Sequence, residues 1–306
     1  MLISNRLCAK VVRMKTANRT SRLTVRKGLL LLTASIVLPL STASAQLAHR
    51  YSFTNNATDS VGGADGSLTN PGGTASISST ALNTTSVNAT DFLSLPSSVG
   101  TGITGDFAVE DWLTQAGAEG SYNSIFSFST STSNFFLLNP NRSGAGTTAD
   151  FEQAGVTGGG TGTETNITTS QGSFKVNGNF GSELQIVLSY VSSTGIASVY
   201  SDGTLIGSGN IGAGFDFQTA TDGTFDGIGG GDAFGDPTFN GSTDDFRIYS
   251  EALTPAQISS LDSAGPNATN AQIDAIVPVP EPSSFLAMLC AGILLVGIRR
   301  IRPTAS

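Results

Sequence analysis

Short apolar or alternating runs, separated by Gly, Asn, Asp and Ser, recur along the interior of this chain and restrict it to an all-β fold. Strands are predicted over Leu47 to Phe53, Phe92 to Leu95, Phe107 to Leu113, Ser124 to Ser129, Phe135 to Leu138, Glu183 to Val191, Ile196 to Ser201 and Thr204 to Gly209. The last three read as consecutive hairpins, joined by Ser192-Ser193-Thr194-Gly195 and by the compact turn Asp202-Gly203. Only Thr254 to Asp262 reads as helix, with Thr254 as N-cap and Pro255 at the first helical position. Two stretches read as loosely structured: Gly155 to Gly162, and residues 266–279, a linker that ends in prolines.

The two ends of the chain have a different composition. Eight of the 15 Lys and Arg residues lie in the first 27 positions, followed by an apolar stretch from Gly28 to Leu40 and the small-residue pattern Ala43-Ser44-Ala45. Residues 1–45 therefore read as a signal peptide, cleaved so that the mature chain begins at Gln46. Met14 opens a more ordinary signal, MKTANRTSR, and is an alternative start. At the other end, Pro280-Glu281-Pro282 precedes an uncharged run over 285–298 and the basic residues Arg299, Arg300 and Arg302. That run is shorter than the roughly 20 residues of a stable spanning helix, and the arginines hold its end on the cytoplasmic side. Residues 280–303 resemble the PEP-CTERM sorting signal of Gram-negative bacteria. The resemblance implies recognition of Pro280, Glu281 and Pro282 by exosortase, a membrane protease-transpeptidase. It further implies transient anchoring in the membrane and a final place at the cell envelope or extracellular surface. A weak single-pass anchor is the alternative reading.

Between these ends only four basic residues remain, Arg50, Arg142, Lys175 and Arg247, against 22 acidic ones. Nucleic acid is excluded as a partner, because phosphate binding draws on clustered Lys and Arg. Both cysteines, Cys8 and Cys290, fall in the end segments, so no disulfide framework holds the core. Stability must come from packing, which a single domain over 46–265 is large enough to supply.

Three segments, LAHRYSFTNNATDSVGGADGSL, DFAVEDWL with Trp112, and FGDPTFNGSTDDFRIYSEALTPAQISSL, resemble the LamG-like jelly rolls of the concanavalin A-like lectin and glucanase superfamily. The resemblance implies a two-sheet antiparallel sandwich, with its first and last strands adjacent. It would bring the loop from Asp59 to Asp65 near Asp244 and Asp245. By strand alternation Asp244 shares a face with Phe246 and Ile248, which sets a carboxylate toward the apolar side. Two compensations are open: a structural calcium ion held by Asp59, Asp65, Asp244 and Asp245, since calcium takes oxygen ligands from carboxylates and carbonyls, or an Asp244 at the strand end that accepts backbone or arginine hydrogen bonds.

No catalytic set is legible. The glucanases of this superfamily use Glu-x-Asp-x-x-Glu on one strand, whereas Glu110 and Asp111 are adjacent and point to opposite faces, one toward solvent and one toward a rim hydrogen bond. His49 is the only histidine, which excludes a zinc site or a Cys-His pair and leaves it a packing or hydrogen-bonding role. Tyr122, Phe135 and Phe136 flank variable segments and are candidates for a ligand face. The expectation is a non-catalytic, surface-retained protein that binds polysaccharide. The alternatives are a purely structural matrix or biofilm protein and a divergent glycoside hydrolase.

Overall fold

The computed structural model describes residues 46–117, 122–140, 148–154, 165–170 and 180–278. In chain order the first strands are β1 (Leu47–Tyr51), β2 (Ser67–Thr69), β3 (Ser76–Ile77), β4 (Leu82–Thr84), β5 (Phe92–Ser94), β6 (Phe107–Gln115), β7 (Phe126–Ser131) and β8 (Asn134–Asn139). There follow β9 (Thr148–Ala154), β10 (Thr165–Ser170), β11 (Glu183–Val191), β12 (Ile196–Ser201), β13 (Thr204–Asn210), β14 (Gly227–Ile228) and β15 (Gly241–Tyr249). Three helices, α1 (Phe217–Ala220), α2 (Pro255–Ala264) and α3 (Asn270–Ile276), complete the described elements.

Two antiparallel sheets form the sandwich. One runs β13-β12-β11-β6-β15-β4-β3, and the other β10-β9-β8-β7-β14-β5-β2. The free edge of β15 is shared end to end: its first three residues pair with β4, and its last four with β1. The first and last strands therefore lie side by side. The turn at Asp202 and Gly203 has positive φ at both positions, as the Asp-Gly pair predicts for a two-residue hairpin.

The inter-sheet core is built on phenylalanine. Phe107, Phe126, Phe128, Phe136, Phe215, Phe217 and Phe246 interlock, with Phe128 stacked on Phe136 at 4.9 Å and Phe107 against Phe217 at 5.0 Å. Each such ring contributes about 1.5–3 kcal/mol by leaving water, which is how a domain without disulfides holds together.

A second apolar layer covers the outer face of the eight-stranded sheet. Leu47, Ala108, Val187, Tyr200, Tyr249 and Leu253 pack there against Ile258 and Leu261 of α2, and Ile273 and Val277. Helix α2 has the expected N-terminus, with Thr254 and Gln257 in a capping box and Pro255 in its first turn. The expected linker over 266–279 needs correction: α3 lies within it, started by a second capping box at Thr269 and Gln272. Burial of Ile273 and Val277 is the physical reason that this stretch folds. Gly155 to Gly162 lies outside the described residues, as do the signal segment and the sorting tail. Among the described residues no helix is long and apolar enough to cross a membrane.

Candidate functional site

Strand β15 organises the charged residues of the outer face. Its register against β6 slips between Thr243 and Asp245, which makes Asp244 the extra residue of a bulge. The bulge overturns the alternation expected from sequence. Asp244 does not follow Phe246 and Ile248 into the core but lines a cleft on the outer side, with Arg50.

Next to it, Asp245 is buried and accepts hydrogen bonds from the Nη2 atoms of Arg50, at 2.7 Å, and Arg247, at 2.6 Å. Fully buried Arg247 also donates Nη1 to Glu110 Oε2 at 3.1 Å. Glu110 in turn accepts from the Tyr249 hydroxyl at 2.6 Å, Trp112 Nε1 at 2.9 Å and Gln185 Nε2 at 2.7 Å. Two carboxylates face two guanidiniums, so charge and hydrogen bonds are both satisfied away from water. The remaining guanidinium donors reach the C-terminal arm. Arg247 Nη2 bonds the carbonyls of Gly265 and Pro266, while Arg50 bonds the Pro266 carbonyl and Asn270 Oδ1. Glu110 is thus a buried strut, not the solvent-facing residue that its sequence position suggested.

Asp111 also departs from the sequence reading. It pairs in register with Ile186 and Phe246, both inward, and is completely buried rather than at a rim. Neither of its oxygens has a hydrogen bond of good geometry. Burial pushes its carboxyl well above the usual range; the neighbouring Thr243 hydroxyl opposes this, and Asp244, Asp245 and Glu110 add to the rise.

The loop from Asp59 to Asp65 does come close to β15, and Ser60 and Asp244 line the same cleft. Its chemistry does not fit a calcium ion. Asp59 Oδ1 accepts from the backbone N–H groups of Arg50, Val61 and Gly62, and Oδ2 from Ala64 N and His49 Nδ1, the last at 2.7 Å. Burial would raise this carboxyl, but the five donors hold it below the usual carboxylate range. Asp65 Oδ1 accepts from Asp59 N, and Asp245 is filled by the two arginines. N–H donors occupy the positions where a cation would need oxygens. No group of three or more such residues suited to a metal ion occurs among the described residues. His49 has the hydrogen-bonding role expected of it.

The cleft has a volume of about 550 Å³ and is lined by Arg50, Ser52, Thr54, Ser60, Thr80, Asp244 and residues 266–270. Hydroxyls, amides and one ion of each sign make it a hydrogen-bonding surface. Glu183, outside the cleft lining, hydrogen-bonds Asp244; burial first, then that bond and the Asp244 charge, push its carboxyl up to about 7. Acid and nucleophile carboxylates of glycosidases stand about 5–9.5 Å apart to admit the sugar or a water. Of the residues that line the cleft, Asp244 alone carries a carboxyl.

Of the rings proposed for a ligand face, Tyr122 is exposed, whereas Phe135 and Phe136 are not. Phe136 belongs to the inter-sheet core, and Phe135, on the opposite face of β8, packs with Leu137 and edge-on against Phe234 at 4.9 Å. Ala43, Ala45, Pro280, Glu281, Pro282, Arg299 and Arg300 lie outside the described residues; Gln46 directly precedes β1. Sequence reasoning missed the cleft and the role of Arg50. The usable signals were the repeated Thr-x-x-Gln at 254 and 269 and the scarcity of basic residues, two of which fall on the adjacent terminal strands.

Residues 87–259 match the family described as the concanavalin A-like lectin/glucanases superfamily, and residues 278–302 match the PEP-CTERM protein-sorting motif. A search of curated proteins finds no match. Among solved structures, domain 4 of AbnA, a GH43 extracellular arabinanase from Geobacillus stearothermophilus in complex with arabinotriose, aligns with 71% of this chain and 98% of its own, at 22% identity and a TM-score of 0.51. A Trypanosoma rangeli sialidase in complex with a difluoro-KDN aligns with 71% of this chain and 32% of its own, at 15% identity and a TM-score of 0.50. Both likenesses are of fold. With its two-sheet sandwich and a family match over more than half its length, the chain belongs to the concanavalin A-like lectin/glucanase superfamily, and it carries a C-terminal PEP-CTERM sorting motif.

Proposed function

We propose that this is an exported, non-catalytic polysaccharide-binding protein, handled by an exosortase through its sorting motif and retained at the surface of a Gram-negative cell. The observation that carries this reading is the polar cleft over the β1–β15 junction, whose hydroxyl, amide and charged groups suit sugar hydroxyls and whose lining holds one carboxyl, Asp244, where glycoside hydrolysis uses two. The domain of an arabinanase that it resembles was solved with arabinotriose, which supports a glycan as the ligand class. The purified domain is expected to bind members of a glycan array without releasing reducing ends. Ser52→Trp, which fills the cleft, should weaken that binding about tenfold, the effect of roughly 1.4 kcal/mol. Absence of binding to every glycan would leave the purely structural matrix role standing, and release of reducing ends would establish a hydrolase.

A further inference from the structure

We propose that the folded chain cuts its own backbone between Asp236 and Pro237, a hydrolysis carried out by the Asp236 carboxyl, and that the two fragments stay assembled. The chain has 11 prolines, and only Pro237 follows an aspartate. Because a prolyl nitrogen carries a second carbon in place of hydrogen, it takes up a proton more readily than an ordinary amide nitrogen and leaves as a secondary amine. The aspartyl carboxyl stands one methylene from the same residue's backbone. It closes a five-membered ring on the carbonyl carbon, and a nucleophile held this close reacts as though it were highly concentrated.

The fold anchors both sides of this bond. Upstream, Asp232 Oδ1 accepts the N–H groups of Phe234 at 2.9 Å and Asp236 at 3.1 Å, around Gly235 in a left-handed turn at a φ of 73°. Downstream, the Pro237 carbonyl accepts from Ser124 N at 3.2 Å, Thr238 N bonds Asn88 O at 3.1 Å, and Thr238 Oγ1 donates to the carbonyls of Thr85 and Asn88. Few conformations are left to lose before the ring closes. Gly235 is exposed, so water reaches the site. Of the groups packed on this stretch, Ser124, Asn88 and Thr85 do not titrate, whereas buried Asp232 faces Asp236 with its charge. Burial first, then that charge, push the Asp236 carboxyl up to about 6. At pH 6 about half of these carboxyls therefore carry a proton, against about 1% of ordinary aspartates.

The protonated form is the one that reacts. One carboxyl oxygen bonds to the Asp236 carbonyl carbon, the carboxyl proton passes to the Pro237 nitrogen, and the C–N bond breaks with its electron pair on that nitrogen. Water then opens the cyclic anhydride to a new α-carboxyl and the original side chain. The sum is hydrolysis of one peptide bond, with water the only co-reactant. The downstream fragment begins with β15, which pairs with β6 on one side and with β4 and β1 on the other, and it keeps buried Arg247 and the helices of the outer layer. It also carries the sorting motif. The cut therefore turns the covalent link between that motif and strands β1 to β14 into one held by folding alone.

The test incubates the purified full chain at pH 5, 6, 7 and 8 and follows it by denaturing electrophoresis, intact mass and N-terminal sequencing. A fragment beginning Pro237-Thr238-Phe239 should accumulate about tenfold faster at pH 5 than at pH 7, with the two fragments eluting together on native size exclusion. Asp236→Asn should abolish the cut. Asp232→Asn, which keeps the acceptor for the Asp236 N–H but removes the charge, should move the pH midpoint lower. Unfolding wild type in urea at pH 6 should slow the reaction at least tenfold, since the carboxyl returns to its ordinary value. An intact wild type at pH 5, a cut that survives Asp236→Asn, or an equal rate in urea would each overturn the proposal.

Discussion

Burial pushes the Asp111 carboxyl well above the usual range in the folded protein, while in the unfolded chain it ionises near the ordinary value of about 3.9. Above that pH folding must take up a proton, so the stability contributed by the protonated group is present below the unfolded pKa and is lost as pH rises toward the folded one. The slope is at most about 1.4 kcal/mol per pH unit for one proton. Asp111→Asn keeps the shape and removes the titration. Urea unfolding of wild type and variant at pH 5 and pH 8 should show the variant gaining relative stability at the higher pH; equal differences at both would mean that Asp111 is ionised in the fold. The residues around it show the limit of reading by alternation. Period-two counting placed Glu110 and Asp111 on opposite faces correctly, yet could not show that both faces are covered. The same counting misplaced Asp244, because one extra residue in β15 shifts every position on one side of it.

At the level of elements, β11 and β12 coincide with the predicted runs, and β1, β5, β6, β7, β8 and β13 fall on them with shifted ends. Elements that escaped are short or polar: β3 and β14 have two residues each, and β10 reads TNITTS without a usable period. Helix α3 escaped because prolines at 278 and 280 suggested a tether, although Thr269-x-x-Gln272 repeats the start signal of α2. The charge network was illegible for a different reason: Arg50 and Asp245 lie 195 residues apart and meet only through the pairing of β1 with β15. Ending the chain after Gly265 removes the Pro266 and Asn270 acceptors of Arg50 and uncovers Leu47 and Tyr249. The truncated domain is expected to be less stable by about 2–5 kcal/mol, the range for emptying one large apolar site. Thermal melting checks this, and an unchanged transition would return α3 to the status of a linker.

For the whole molecule, the loops at the start of β15 and the first described residues, at Gln46, lie at opposite ends of that strand, whose nine residues span roughly 26 Å. The two ends of the described domain belong to one apolar layer. Ser250 N bonds the Gln46 carbonyl at 2.9 Å, and Leu47 and Val277 share one apolar cluster. A circular permutant that joins Val277 to Gln46 by a short Gly-Ser bridge and opens the exposed hairpin at Ser193 should keep the native circular dichroism and a cooperative melt; loss of both would show that the β11–β12 turn must be continuous for folding. Ends that close on each other also make the sandwich a cassette: spliced into a loop of a host protein, it would enter and leave through one doorway and leave the host fold undisturbed.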